Sequence, residues 1–125
     1  MSGIDAPQIY DVARGTIQPI SIDWGENTIG QESGILDDGD TVASAVVTVD
    51  GKPAAATDPT FGAVAVNTIV TVINGRSCSA GEATAVTMTV ASDALYGKYR
   101  LKFVATTTNG FVIPRYFRFK IVEPA

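Results

Sequence analysis

The chain predicts an all-β protein, a single antiparallel β-sandwich of seven to eight short strands, on three observations. Valine and threonine supply 14 residues each of 125, and β-branched side chains suit a pleated, half-buried surface better than a helix. Apolar and polar residues alternate over short runs, at the period of two that sends successive side chains to opposite faces of a sheet. Glycine with aspartate or asparagine punctuates these runs at regular spacing, and no run keeps a helical period convincingly. A chain of this length suits one domain with a core of its own.

Residues 1–14 alternate poorly and contain Gly3 and Pro7. They read as an N-terminal arm or first edge strand, which leaves 15–123 as the sandwich domain. In Thr16–Trp24, the residues Ile20, Ile22 and Trp24 share one face, with Ser21 and Asp23 on the other. Pro19 has no N–H to give to a ladder, which places this strand at an edge or delays its start. Residues 25–40 are polar, acidic and rich in glycine, and read as a loop. Near its end Gly39 allows a positive φ, and Asp40 can accept from nearby backbone N–H groups, so "DDGDT" launches the next strand.

That strand, Thr41–Val49, has Ala43, Ala45, Val47 and Val49 on one face and Val42 and Val46 on the other. Both faces are fairly apolar, which suits a strand covered on both sides. "DGKP" (Asp50 to Pro53) is a turn and "AAATDP" a loop. Phe61–Ile73 returns to β character and breaks at Asn74-Gly75. Ala83–Ala91 is a strand with Val86, Met88 and Val90 on one face.

The C-terminal third is the clearest. Tyr99, Leu101, Phe103 and Ala105 alternate with Lys98, Arg100 and Lys102, and Phe117, Phe119 and Ile121 alternate with Arg118 and Lys120. A two-residue turn at Asn109-Gly110 would set Leu101 against Arg118 and mix the faces. A three-residue loop, Thr108 to Gly110, pairs Leu101 with Phe117 and Tyr99 with Phe119, and Gly110 supplies the left-handed residue that such a loop needs. "DALYGKYRLKF" looks like the start of strand F of an immunoglobulin-like fold, where a glycine precedes an inward tyrosine.

Composition restricts the chemistry. There is no histidine, which removes the commonest general base, the usual triads and most zinc sites. The single cysteine, Cys78, forms no intrachain disulfide. Its neighbour Arg76 would favour a lowered thiol pKa, yet a nucleophile without a histidine partner is a weak proposal. Asp37, Asp38 and Asp40 offer hard oxygen ligands but lack the spacing of a calcium loop, and read as a solvated turn. No stretch approaches the ~20 apolar residues of a membrane helix. The N-terminus lacks the basic and apolar segments of a signal peptide, so synthesis in a reducing cytoplasm is expected.

Charge is divided unevenly. Residues 1–60 carry ten acids against Arg14 and Lys52, net −8, and residues 61–125 carry seven bases against three acids, net +4. The hairpin register sets Arg100 opposite Arg118 and Lys98 opposite Lys120, a basic stripe with like charges face to face, which is unfavourable. Two readings stand. In one the stripe is a solvated face; in the other the acidic half of this chain or of a neighbouring copy lies against it. A negative net charge with few aromatics among the bases argues against nucleic acid.

"ISIDWGENT…ILDDGDTVASAVVTV", followed by "GKYRLKFVATTTNGFVIPRYFRFKIV", resembles the small immunoglobulin-like proteins of tailed bacteriophages known as phage fibre-tail adaptors. The match runs through Ile22, Asp23 and Trp24, then Leu36, Gly39, Asp40, Thr41 and Val42, and resumes at Gly97, Tyr99, Leu101, Phe103 and Gly110. The stretch 50–85 aligns only by β character. The loop between Trp24 and Leu36 looks longer than usual, and Val47 stands where members often carry a tryptophan. The resemblance implies an immunoglobulin-like sandwich with Trp24 in its core. It implies a non-enzymatic virion protein, an adaptor attached in multiple copies at the neck or tail, with no cofactor and no metal. Its partners would be other virion proteins of the neck, tail or capsid and further copies on a symmetric ring, with no membrane and no nucleic acid. Contact is expected at exposed sheet edges, the 1–14 arm and the 25–36 loop, with Glu26, Glu32, Asp37, Asp38, Lys98, Arg100, Lys102, Arg118 and Lys120 as interface residues. A capsid decoration protein would use the same sandwich. A glycan-binding or host-adhesion module would need exposed aromatics, for which Tyr10, Phe61, Phe111 and Tyr116 are the candidates.

Overall fold

The computed structural model describes residues 9–25, 36, 39–73 and 75–123, and every regular element among them is a strand. In chain order these are β1 (Ile9–Ala13), β2 (Ile17–Asp23), β3 (Val42–Gly51), β4 (Thr60–Phe61), β5 (Ala65–Val66), β6 (Thr71–Ile73), β7 (Arg76–Cys78), β8 (Ala83–Thr89), β9 (Gly97–Thr107) and β10 (Val112–Val122). One sheet runs β1-β10-β9-β3, antiparallel except that β1 lies parallel to β10. The second runs β2-β8, with β4 and β5 both antiparallel to β8 on its far side. Strands β6 and β7 form a separate hairpin.

Both sheets feed one core. Ile20, Ile22, Val86 and Met88 come from the second sheet, Tyr99, Leu101, Phe103, Ala105, Phe119 and Ile121 from the first, and Trp24 is fully enclosed among them. The β9–β10 register pairs Leu101 with Phe117 and Tyr99 with Phe119, as the three-residue loop requires. At that loop the Thr107 N–H donates to Phe111 O (2.8 Å), and Gly110 takes φ +91°. Pro19 sits where expected, since β2 is the edge of its sheet.

Three features depart from the sequence expectation. First, β3 is the edge strand of its sheet and Val46 is 60% exposed, so the strand is not covered on both sides. A register irregularity between Val42 and Ser44 also turns Val42 inward, onto the side of Ala45, Val47 and Val49, and leaves Ala43 outside. One extra residue in a bulge reverses the parity on which face assignment depends. Second, Phe61–Ile73 is not one strand. Small residues at Gly62 and Ala63 interrupt it into β4 and β5, and the chain then leaves the sheet to build the β6–β7 hairpin around Gly75 (φ +81°). Third, Asp23 is 6% exposed rather than facing solvent with Ser21.

The turn at Asp40 ties the start of β3 to the β9–β10 loop at one end of the first sheet. Gly39 has φ +81°, and Asp40 Oδ1 accepts from the backbone N–H of Thr41 (2.8 Å) and of Asn109 (3.2 Å), in the β9–β10 loop. Burial alone would raise the Asp40 pKa, but hydrogen bonding from Thr107 and from the Thr41 and Asn109 amides outweighs it, and the pKa is lowered. A carboxylate with a lowered folded-state pKa stabilises the fold above its unfolded value, about 3.9. That contribution disappears as pH falls through the lower folded value. Asp40→Asn is therefore expected to remove part of the acid dependence of stability. Melting temperatures of both proteins between neutral pH and the acid transition test this, and superimposable profiles would refute it.

Candidate interaction surface

Alternation along β9 and β10 sends one set of side chains into the core and the other onto a single outer face. Across that face the registers align rows of neighbours. Val46, Val104 and Pro114 form an apolar row near the β9–β10 loop. Thr48, Lys102 and Tyr116 form the next. Arg100 then lies opposite Arg118, and Lys98 opposite Lys120, which has Asp11 of β1 on its other side. The structure thus gathers Lys98, Arg100, Lys102, Arg118 and Lys120 on one patch. Glu26, Glu32, Asp37 and Asp38 lie outside the described residues.

The like-charge rows are partly relieved within the chain. The Arg100 guanidinium reaches Asp50 Oδ2 at 2.5 Å and lies 5.1 Å from the Tyr116 ring centroid. Such half-exposed pairs contribute little stability individually, but they fix the direction of the arginine. Lys98, Lys102 and Lys120 form no salt bridge among the described residues. Beside the stripe a cleft of about 280 Å³ is lined by Gly51, Lys52, Lys98, Tyr99, Arg100, Arg118 and Phe119.

The opposite outer face has another character. The strands of the second sheet contain one charged residue, Asp23, and it is buried. Their outward positions include Ile17, Pro19, Ser21, Thr60, Ala65, Ala85, Thr87 and Thr89. In the separate β6–β7 hairpin Val72, and just before it Ile69 and Val70, are each more than 60% exposed. The outer face of β9 and β10 is charged; the strands of the second sheet expose no charge and present apolar and hydroxyl side chains in equal number.

Around the lone cysteine the side chains are paired with one another, and Asp23 is buried. Cys78 is fully buried, and burial together with Asp23 pushes its thiol up to about 11, although Arg76 nearby pulls the other way. The lowered pKa suggested by Arg76 is thus corrected: burial dominates, and Asp23 offsets the pull of Arg76. Its guanidinium meets Asp23 Oδ1 at 2.5 Å and Glu82 Oε1 at 3.9 Å. Asp23 Oδ1 also accepts from the Gly25 N–H (3.0 Å). No periodicity signals such a pair, 53 residues apart in the chain. Native protein at mildly alkaline pH is expected to resist iodoacetamide at Cys78 and to react once denatured; rapid native labelling would contradict this.

Arg115 was also missed. It occupies an inward position on β10, is 5% exposed, donates to the backbone carbonyl of Asp23 and lies 5.6 Å from the Trp24 ring centroid. It shares the parity of Phe117 and Phe119, and from sequence it is assigned no place. Among the described residues no group of three histidine, cysteine or acidic side chains is disposed to hold a metal. The expected aromatics do not form a platform: Phe61 packs on the core, Tyr10 stacks on Phe117 at 5.1 Å, and Phe111 stands apart at the β9–β10 loop. No family model and no curated protein matches the chain.

Proposed function

We propose that the protein is an immunoglobulin-like β-sandwich that acts as a non-enzymatic structural component of a tailed-phage virion, an adaptor attached in multiple copies at the neck or tail. The fold reading is supported by strand order. Constant-type immunoglobulin domains place strands C, F and G in one sheet and A, B, E and D in the other. Here β3, β9 and β10 match C, F and G, and β2, β8 and the broken β4–β5 match B, E and D. Tyr99, two residues into β9, donates its hydroxyl to Leu95 O at 2.7 Å, the arrangement of a tyrosine corner at the start of strand F.

The observation that carries the functional reading is the basic outer face of β9 and β10, set against a second sheet whose strands expose no charge. Extended faces of this kind serve contact with other proteins, where burial and charge complementarity supply the binding. The sequence resemblance supplies the phage context. Immunogold labelling and mass spectrometry of purified particles test it. Label at the neck or tail is the expected result. Label over the head would replace the adaptor with a decoration protein, and absence from the particle would end both readings.

A further inference from the structure

We infer that two copies of this chain join edge to edge, through antiparallel pairing of their β3 strands about a two-fold axis at Val46. The inference goes beyond the reading above and stands on this edge alone. An unpaired strand edge is a template for another chain, and soluble proteins blunt such edges with charge, proline or brevity. In the second sheet the edge strand β2 carries Pro19, and β4 and β5 have two residues each. In the first sheet β1 has five residues, with exposed Asp11 at its centre. The other edge of that sheet, β3, has ten residues, with no proline and no charge from Val42 to Val49. Its irregularities fall between Val42 and Ser44 and between Val49 and Gly51. The stretch from Ser44 to Val49 is therefore regular, and its only strand partner among the described residues is β9, on one side.

The strand is incompletely covered on both faces. Ala45, Val47 and Val49 pack on the core yet remain only half-buried, and Val46 is 60% exposed on the outer face beside Val104. A strand that completes this edge has to be uncharged and to offer apolar side chains on both faces. β3 itself meets that description, and its own sequence fits it in a two-fold register. With Val46 opposite its counterpart, Ser44 falls opposite Thr48 and Ala45 opposite Val47 across the axis. Inward residues meet inward residues and hydroxyl meets hydroxyl, whereas a shift of one residue would set inward against outward side chains. No like charges meet, because Asp50 falls opposite Val42 and is held by Arg100 of its own chain. This self-complementarity selects a second copy as the occupant. Pairing joins two four-stranded sheets into one continuous sheet. It consumes the unblunted edge of each copy, so association closes at a dimer.

The test is sedimentation velocity of the purified chain over a concentration series in about 0.1 M and about 1 M salt, which changes the Debye length several-fold. A dimer that dissociates on dilution and survives high salt is expected, because the contact is small and uncharged. Val46→Lys sets two like charges about 5 Å apart across the axis and should weaken dimerisation about tenfold or more. Val46→Glu should do the same, and mixing the two variants should restore a heterodimer. Val72→Lys, on the separate hairpin, should leave dimerisation unchanged. Val46 is exposed, so these variants are expected to fold; should one not, Thr48→Lys mixed with Ser44→Glu, exposed on the same face, carries the same test. A monomer at every concentration overturns the inference. So does a dimer that Val46→Lys leaves intact, a dimer that Val72→Lys disrupts, or failure of the two folded variants to associate when mixed. Particle labelling decides the virion reading separately, since a β3 dimer agrees with either result there.

Discussion

Replacing Trp24 with alanine is expected to destabilise the fold by about 3–5 kcal/mol, the range for truncating a buried large aromatic. Against a total of about 5–15 kcal/mol for a domain, that leaves a marginal or unfolded protein. Trp24 has no exposed surface and is the largest fully buried side chain. Thr84 of β8 and Arg115 of β10 meet its ring from the two sheets, so truncation would open a cavity between them. The indole N–H also donates to Thr84 Oγ1 (2.9 Å), and Thr84 is itself buried.

Trp24→Phe separates the terms. It keeps most of the apolar volume but leaves the Thr84 hydroxyl without its donor, a loss of about 1–3 kcal/mol. Thr84→Val removes the other half of the same bond. In a double-mutant cycle the Trp24→Phe and Thr84→Val effects should be less than additive. Urea unfolding followed by far-ultraviolet circular dichroism measures all four proteins. Loss of less than about 1 kcal/mol on Trp24→Ala would show that the core does not depend on this side chain.

The sequence made legible those parts of the fold where a local rule acts without competition. The β9–β10 hairpin is one: two long alternating strands and one glycine leave a single register that sets Tyr99, Phe103, Phe117 and Phe119 on one face and Lys98, Arg100, Lys102, Arg118 and Lys120 on the other. The basic patch followed from that register alone. The turn at Asp40 was legible too, because short acidic side chains and glycine act on backbone groups a residue or two away. What could not be read depends on contacts distant in sequence. The bulge in β3 exchanges the faces of Val42 and Ala43, and nothing in "TVASAVVTV" marks where the extra residue falls. Asp23 was placed outside because parity ignores the Arg76 guanidinium that makes its burial tolerable. Arg115 is the converse, a charged residue that received no reading although it shares the parity of Phe117 and Phe119 and is buried. The β6–β7 hairpin escaped because Phe61–Ile73 has β character throughout, and nothing in it marks where the chain leaves the sheet and exposes Ile69, Val70 and Val72.

That hairpin depends on Asn67, and Asn67→Ala is expected to cost about 2–4 kcal/mol, several hydrogen bonds at about 0.5–1.5 kcal/mol each. The amide nitrogen donates to the carbonyls of Ile69 (3.0 Å), Cys78 (3.3 Å) and Ser79 (3.0 Å). The amide oxygen accepts from the N–H groups of Gly81 (2.9 Å) and Ala83 (3.0 Å). One side chain thus holds the outgoing strand, the returning strand and the start of β8 together. Exposed β-branched residues at 69–72 gain nothing from burial, so the base of the hairpin has to be secured by polar contacts instead. Asn67→Asp discriminates between the two ends of the amide. It retains an acceptor for Gly81 and Ala83 but turns the donor into an oxygen facing three carbonyls, so it should be nearly as damaging as alanine. Hydrogen exchange should then accelerate first in Thr71–Ile73 and Arg76–Cys78, while β9 and β10 stay protected. If instead exchange rises uniformly across both sheets, Asn67 supports the whole fold and not the hairpin alone. If neither variant loses stability, the polar clamp is redundant, and the buried Cys78 and the Asp23–Arg76 pair anchor the hairpin without it.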